Sequence, residues 1–290
     1  MPNSFFPAAG TVGTTISMNA TENATWTNNL INNNASTQQV SITYQGGALG
    51  GGIVSLTGNV STGPNINANN RLNFACACGF SPANWTEGRY TLSGDWTNYV
   101  GNPTSHFVTM AGRGVLQINA QQSIAAAATP YLLNHSATDQ TRYQYNTSII
   151  GTAAPSGKII LNGAFTMPNA LTISGTSSYY GYGTFNAFGS SQTTGTATLS
   201  GALAINGPAA ANLFCLTTGT TLNLSGVMSA SSPNNRIVIN DNYSYHTGAT
   251  TGTGGLVVRN PVGTVLLSNA NTFQRSEEHT SELQSRQCIS

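Results

Sequence analysis

The sequence predicts an all-β chain that folds as a parallel solenoid, a stack of coils built from short strands. Three observations lead to this prediction. Short β-branched runs alternate with turn residues, one motif ending in glycine recurs, and charged residues make up only 6% of the 290 residues. Ordinary globular domains carry about a quarter charged residues. Abundant Ile, Val, Thr, Tyr and Phe argue against disorder as the reason for the low charge.

The predicted strands are short aliphatic, aromatic or β-branched runs, each bounded by Gly, Asn, Ser or Pro. In chain order they include VSITY (40–44), HFVTM (106–110), GVLQIN (114–119) and RIVIN (236–240). Helical patterns are almost absent. The exception is the Ala-rich QQSIAAAATPYLL (121–133), which we expect to form a turn or two of helix before its proline.

The recurring motif is an apolar stretch, then Leu or Ile, a small polar residue and Gly. It occurs as IVSLTGNV (53–60), YTLSGDW (90–96), IILNGAF (159–165), LTISGTS (171–177), ATLSGAL (197–203) and LNLSGVM (222–228). Its glycines are Gly58, Gly94, Gly163, Gly175, Gly201 and Gly226. Gly and Asn suit tight corners because they tolerate positive φ.

Two architectures bury such strands without long helices: an antiparallel sandwich or barrel, and a solenoid of stacked coils. Repetition at roughly 20 to 50 residues favours the solenoid. The low charge also favours it, because stacked coils place like residues on like. Asn, Ser and Thr can hydrogen-bond along such ladders, whereas like charges would repel.

Composition narrows the classes of function. The formal net charge of +1 provides no electrostatic basis for binding nucleic acid. Cys76 and Cys78 lie two positions apart, a spacing more typical of small buried residues than of a metal or redox pair. No apolar run approaches the roughly 18 residues of a membrane helix. The N-terminus shows no convincing signal peptide, and we expect that the chain extends beyond Met1 in its gene.

The last sixteen residues, RSEEHTSELQSRQCIS (275–290), differ from the rest and hold five of the seventeen charged residues. Back-translated, they are compatible codon by codon with the constant adapter used in short-read DNA sequencing, interrupted by an index. The segment therefore resembles translated adapter DNA, and we expect it to contribute nothing to the native fold. We expect residues 1–274 to form one repeat region, cut short at Gln274, and residues 275–290 to be a non-native tail that is unpacked against it.

The segment GTGGLVVRNPVGTVLLSNANTFQ (252–274) resembles the autotransporter-associated β-strand repeat. That family's usual form is Gly-Gly-Leu, a polar stretch, Gly-Thr-Leu-x-Leu-Ser, then x-Ala-Asn-Thr-Tyr. The departures are Pro261, Val262 and Val265, and they leave the apolar pattern intact. The matching positions are Gly254, Gly255, Leu256, Gly263, Thr264, Leu266, Ser268, Ala270, Asn271, Thr272 and Phe273.

The resemblance implies a right-handed parallel β-helix of the kind found in the passenger regions of bacterial secreted or surface-displayed proteins. In such proteins a membrane-embedded barrel or a short anchor follows the repeats and contacts the outer membrane. The implied location is extracellular or the bacterial cell surface.

The competing hypothesis is a β-helix enzyme acting on polysaccharide, a lyase or glycoside hydrolase. Such enzymes need clustered carboxylates for calcium or for acid–base chemistry. Before the tail, the acidic residues are scattered singly, and the groups Arg236, Asp241, His246 and His135, Asp139, Arg142 fit turns and polar loops better than a catalytic site. The acidic residues are Glu22, Glu87, Asp95, Asp139 and Asp241.

One segment, SYYGYGTFNAFG (178–189), concentrates aromatic residues among glycines. Exposed on a loop, these rings would stack on sugars or hold a protein partner. The alternative is that they fill the solenoid or cover its end. The candidate binding residues are Tyr179, Tyr180, Tyr182, Phe185 and Phe188.

Together these features predict a non-enzymatic surface or secreted β-helix passenger that serves in adhesion or cell-surface structure. The expected partners are surface glycans or proteins of a host or neighbouring cell, with no nucleic acid. No catalytic residue, metal site or cofactor is predicted.

Overall fold

The fold is described from a computed structural model, which describes residues 4–5, 14–18, 23–32, 40–44, 53–64, 72–76, 89–101, 108–112, 114–135, 157–175, 178–179, 182–183, 186–206, 211–230, 236–240, 255–258 and 263–269. These residues form 26 strands and one 3₁₀ helix, Gln121–Ser123. The prediction of an all-β chain is confirmed. The tail at 275–290 lies outside the described residues.

The strands are two to five residues long and follow one another closely. The first thirteen are β1 (Ser4–Phe5), β2 (Thr14–Met18), β3 (Ala24–Trp26), β4 (Asn29–Asn32), β5 (Val40–Tyr44), β6 (Ile53–Leu56), β7 (Val60–Thr62), β8 (Leu72–Cys76), β9 (Arg89–Leu92), β10 (Val108–Gly112), β11 (Gly114–Ile118), β12 (Tyr131–His135) and β13 (Gly157–Leu161). The remaining strands are β14 (Thr166–Met167), β15 (Leu171–Gly175), β16 (Ser178–Tyr179), β17 (Tyr182–Gly183), β18 (Asn186–Ser190), β19 (Thr196–Leu199), β20 (Leu203–Asn206), β21 (Ala211–Cys215), β22 (Thr221–Leu224), β23 (Met228–Ala230), β24 (Arg236–Asn240), β25 (Gly255–Val258) and β26 (Thr264–Leu267).

Parallel pairing dominates the sheets. One sheet has nine strands in the order β25-β24-β21-β18-β13-β11-β9-β6-β3, and a second has eight in the order β2-β5-β8-β10-β12-β15-β20-β23. Two smaller parallel sheets have the orders β1-β4-β7 and β14-β19-β22-β26. Among the described strands, the antiparallel pair is β16 with β17.

Successive strands visit the sheets in rotation. From β13 onward the chain passes from the nine-stranded to the four-stranded to the eight-stranded sheet, and β18, β19 and β20 then repeat that order, as do β21, β22 and β23. Partners in a parallel pair are therefore far apart in sequence. Arg236 pairs with Gly255, 19 positions on, and Gly114 pairs with Gly157, 43 positions on.

Main-chain and side-chain hydrogen bonds continue the two small sheets through segments that are not strands. The amide of Val60 in β7 donates to the Asp95 carbonyl at 2.8 Å, and the amide of Trp96 donates to the Gln122 carbonyl at 2.7 Å. The Gln121 side chain then donates to the Thr166 carbonyl and accepts from the Thr166 amide. Residues 95–98 and 120–123 thus link β7 to β14.

The core lies between the sheets and is filled by alternate residues of each strand. In β22, Leu222 and Leu224 are buried whereas Thr221 and Asn223 are half-buried. Because strand side chains alternate between faces, this pattern places every second residue inside. The in-register neighbours in β19, Ala197 and Leu199, are buried in the same way.

Four aromatic rings form a contiguous group in the core. The ring centroids of Phe74 and Tyr90 lie 5.1 Å apart, those of Phe74 and Trp96 lie 6.0 Å apart, and those of Trp96 and Tyr99 lie 6.3 Å apart. All four side chains are fully buried. Tilted and offset rings at these distances add attraction beyond the area they bury. Burial raises the pKa of Tyr99, and also that of Tyr131 nearby in the core.

The nine-stranded sheet also buries apolar side chains on its opposite face. Val115, Ile160 and Phe214 form a second cluster there and are each at most 1% exposed. Phe214 lies over Gly189 of the neighbouring strand, and a Cβ built on that glycine would overlap the Phe214 ring. Gly189 therefore provides the space for this ring.

Four of the motif glycines lie against main chain from an earlier part of the sequence. A Cβ on Gly58 would overlap the carbonyl oxygen of Asn28, and one on Gly94 would overlap that of Gly58. Gly226 stands in the same relation to Gly201, whose own Cβ would overlap the carbonyl of Asn169. The clash is with backbone in each case, so the corners require glycine for close approach. Their φ angles are not in the left-handed region.

The expectation of helix in the Ala-rich segment is only partly right. The single helical turn is Gln121–Ser123, and residues 124–130 are irregular. The reason is tertiary: Asn169 Nδ2 donates to the carbonyls of Ala125, Ala126 and Thr129 at 2.8 to 3.2 Å. These carbonyls accept from a side chain 40 to 44 positions further along the chain, and the Ala126 carbonyl also accepts from the Thr129 amide at 2.8 Å in a turn.

Candidate functional site

The aromatic segment forms a small hairpin between β15 and β18. Tyr179 of β16 pairs with Tyr182 of β17, and Ser178 pairs with Gly183. Tyr180 and Phe185 lie outside the described residues. This hairpin is a separate two-stranded antiparallel sheet that lies between two strands of the parallel sheets in the sequence.

Phe188 does not belong to that candidate binding loop, which corrects the prediction. It lies in β18, is 0% exposed, and is in register with Ile159 on one side and Leu213 on the other. The alternation of the strand directs Phe188 into the core, while the next residue, Gly189, faces the opposite side. Sequence spacing from the tyrosines had grouped this ring with the loop although it belongs to the following strand.

The repeat-like segment contributes to two different sheets. Gly255 and Leu256 lie in β25 of the nine-stranded sheet, whereas Thr264 and Leu266 lie in β26 of the four-stranded sheet, followed by Ser268. A Cβ on Gly263 would meet the Cys215 thiol and two carbonyls, so this glycine is also required by close packing. The matched positions outside the described residues are Gly254, Ala270, Asn271, Thr272 and Phe273.

The register aligns this segment with two copies of the shorter motif. TVLLS (264–268) lies beside TLNLS (221–225), which lies beside TATLS (196–200). In each copy the amide of the serine that follows the strand donates to the carbonyl of the last residue of the neighbouring strand in the sheet. Ser268 donates to Leu224 in this way at 3.1 Å. Each copy begins with a threonine. This shared residue marks the register of the three copies, which the spacing of the glycines alone did not indicate.

A ladder of polar side chains runs along the nine-stranded sheet. Asn119 Nδ2 donates to Ser93 Oγ at 3.1 Å, and Asn162 Nδ2 donates to Asn119 Oδ1 at 3.1 Å. Ser191 Oγ then donates to Asn162 Oδ1 at 3.2 Å. Each group bonds to side chains that follow the neighbouring strands of the sheet, as uncharged residues in register can. This polar ladder is the feature that the low charge of the sequence predicted.

Charge on the described surface is sparse. Arg89 Nη1 donates to Gln117 Oε1 at 2.8 Å, extending the same polar surface. Asp95 lies at a corner, where the Thr97 hydroxyl and the Thr97 amide both donate to its Oδ1 and lower the pKa of the carboxyl. Asp95 is the acidic residue in the described part of the chain, and Asp139 and Asp241 lie outside it. The predicted convergence of carboxylates for an enzyme is therefore untested.

Cys215 is the cysteine whose side chain the structure describes. Cys215 is buried, accepts from Ser190 Oγ at 3.3 Å and lies 3.2 Å from Thr220 Oγ1. The residues that the structure describes contain no group of three or more His, Cys, Asp or Glu arranged to hold a metal ion. No helix in the described ranges has the length and hydropathy needed to cross a membrane.

Comparison of the chain with protein-family models, with curated proteins and with solved structures finds no match in any of the three. The resemblance of residues 252–274 to the autotransporter-associated repeat therefore stays a prediction.

Proposed function

We propose that the chain is a right-handed parallel β-helix and works as a non-enzymatic surface or secreted passenger region. The observation that carries the proposal is the threefold rotation of strands through parallel sheets, with each coil in register with the one before. Parallel strands joined by crossovers within a sheet are right-handed in nearly all known cases, which supports the hand. Coils that rotate in this way stack along one axis.

The corners support the same architecture. Gly58 and Gly94 in one column, and Gly201 and Gly226 in another, allow main chain to contact main chain between coils. The polar ladder then satisfies side chains along the stack rather than outward. Such a stack presents a long surface of low charge, which suits adhesion or cell-surface structure.

The rings of Tyr179, Tyr180, Tyr182 and Phe185 are the proposed contact residues for a glycan or protein partner. Their support is the hairpin that takes this segment out of the parallel sheets. Phe188 provides a matched comparison because it is an aromatic residue of the same segment that packs in the core.

The proposal is tested by adhesion. Polystyrene beads coated with the full chain are counted on cultured epithelial cells and on purified bacterial peptidoglycan, beside beads coated with the heat-unfolded chain. We expect the folded chain to retain more beads. A Tyr180→Ser, Phe185→Ser double variant should lower retention without loss of circular dichroism, whereas Phe188→Leu should lower stability and leave retention per folded molecule unchanged.

The enzyme hypothesis gives a different result. The full chain is incubated with pectin, alginate and peptidoglycan, and released reducing ends and unsaturated sugars are measured. Product release that Asp95→Asn, Asp139→Asn or Asp241→Asn abolishes would replace the passenger proposal by a polysaccharide-active enzyme. Equal bead retention by folded and unfolded chain would refute adhesion.

A further inference from the structure

The outward face of the four-stranded sheet carries a regular array of threonines. Thr196, Thr221 and Thr264 form one row across three strands in register. A second row starts two residues later with Thr166 and Thr198 and continues to Asn223 and Leu266. We call this the threonine face, and its members are Thr166, Thr196, Thr198, Thr221, Asn223, Thr264 and Leu266.

The threonine hydroxyls differ from the polar ladder, whose side chains are hydrogen-bonded to one another. On the nine-stranded sheet, Asn119, Asn162 and Ser191 bond to one another. On the threonine face, none of the five hydroxyls hydrogen-bonds to a described residue, and Asn223 accepts from Ser268 at 2.8 Å at its edge. The hydroxyls are thus available to a ligand in a pattern that the backbone fixes.

The backbone beneath these hydroxyls is held firmly. Ala197, Leu199, Leu222 and Leu224 alternate with the outward residues and are buried. At one end of the face, Gln192 is 3% exposed and its Nε2 donates to the Thr221 carbonyl at 2.8 Å. Neighbouring strands lie about 4.8 Å apart and alternate residues about 6.6 Å apart along a strand. The hydroxyls therefore form a two-dimensional lattice with these repeats.

The chemistry of the face excludes several partners. Its described residues include no Asp, Glu, Lys or Arg, so it does not attract phosphates, metal ions or charged peptides. It also presents no aromatic ring among those residues, although aromatic stacking supplies much of the affinity of sugar-binding sites. Each threonine pairs one hydroxyl with one methyl group, and water beside an apolar group has restricted orientations.

We propose that the threonine face binds ice. Ice presents oxygen atoms at fixed, repeated positions with spacings of the same order as the repeats of this lattice, and it carries no net charge. The hydroxyls would take up oxygen positions of the lattice while the methyl groups lie over its cages. A charged side chain orients the water around it in its own field, which conflicts with the hydrogen-bond geometry of ice, so an uncharged face suits an ice lattice. This inference stands independently of the passenger proposal.

The test uses the full chain and slowly grown polycrystalline ice. The fraction of protein taken up by the ice is measured beside serum albumin, together with inhibition of ice recrystallisation. Thr221→Lys places a charge at the centre of the array and should lower uptake about tenfold, because central contacts carry most of the binding energy of an interface. Thr196→Lys, at a more exposed position, should act in the same direction if the first variant folds poorly.

Two further variants complete the design. Thr57→Lys adds the same charge at an exposed corner beside β6, away from the face, and should leave uptake unchanged. Leu266→Thr extends the second row and should raise uptake. Uptake no greater than that of albumin, or uptake unaffected by both Thr221→Lys and Thr196→Lys in folded protein, would overturn the proposal. Retention on crystalline cellulose, lost in those two variants and without uptake into ice, would assign the face to a polysaccharide instead.

Discussion

Replacing Gly94 by alanine tests whether its main chain contacts the main chain at Thr57 and Gly58 directly. The new methyl group would overlap the Gly58 carbonyl and approach the Thr57 carbonyl at 2.9 Å. Both groups are backbone, so no side chain can rotate away. Overpacking of a tight site costs about 1–3 kcal/mol, and this site belongs at the upper end.

An opposing effect reduces the net loss. Alanine restricts the unfolded chain more than glycine does, which stabilises the folded state by about 0.4–1 kcal/mol. The clash exceeds this gain. We therefore expect Gly94→Ala to lower the free energy of unfolding by about 2 kcal/mol.

Gly219→Ala is the matched control. Gly219 has a φ of 79° and nothing within 4 Å of a built Cβ, so alanine there meets backbone strain without a clash. That strain costs roughly 1–2 kcal/mol before the same entropic gain is subtracted. Asparagine tolerates a positive φ, so Gly219→Asn should recover stability, whereas Gly94→Asn should be worse than Gly94→Ala.

Urea unfolding followed by circular dichroism and by tryptophan fluorescence measures all four variants. Trp96 is fully buried and follows Gly94 by two positions, so its emission reports the affected corner. The reasoning is refuted if Gly94→Ala costs no more than Gly219→Ala, or if asparagine is tolerated equally at both positions. Either result would mean that the main chain at Gly94 does not approach the main chain at Gly58 as closely as the structure indicates.

Three other predictions concern packing, hydrogen bonding and ionisation. By urea unfolding, Leu224→Ala should lower the free energy of unfolding by about 3 kcal/mol and Leu267→Ala by clearly less. The reason is that Leu224 is 3% exposed, whereas its in-register neighbour Leu267 is only partly buried. Equal losses would contradict the burial pattern. Asn169→Ala should cost about 3 kcal/mol, since three main-chain carbonyls lose a donor, and a thermal midpoint equal to that of the parent chain would argue against those bonds. Because the pKa values of Tyr99 and Tyr131 are raised, the folded state retains protons that the unfolded state releases at alkaline pH. The free energy of unfolding is therefore at its full value below about pH 10 and falls above it by about 1.4 kcal/mol per pH unit for each tyrosine. The corresponding double Phe variant should flatten that alkaline loss, and an unchanged slope would contradict it.

Several elements were predictable from local pattern alone. VSITY and RIVIN coincide with β5 and β24, because β-branched residues bounded by turn residues have few alternatives to a strand. HFVTM was placed two residues too early, and β10 runs instead from Val108 to Gly112. Strand boundaries depend on where a neighbouring strand provides hydrogen-bond partners. The local sequence does not contain that information.

Other features depended on pairing between distant residues. Phe188 and Tyr179 look alike in sequence, yet the register of β18 with Ile159 and Leu213 buries the first. The threonine face likewise appears only when residues 25 and 43 positions apart are brought into register, as with Thr196, Thr221 and Thr264. The spacing of threonines along the sequence cannot show such an array, because the stretches of chain between paired strands differ in length.

By itself, the sequence determined that this chain is β-rich, that it carries few charges, and that glycine recurs after strands. These follow from side-chain chemistry and from the two-residue period of a strand. The tertiary structure alone decided which strands are neighbours, which glycines lie against carbonyls of distant residues, and which threonine hydroxyls have no partner among the described residues. The physical reason is that parallel pairing joins residues remote in sequence, so their contacts depend on the length of every intervening stretch of chain.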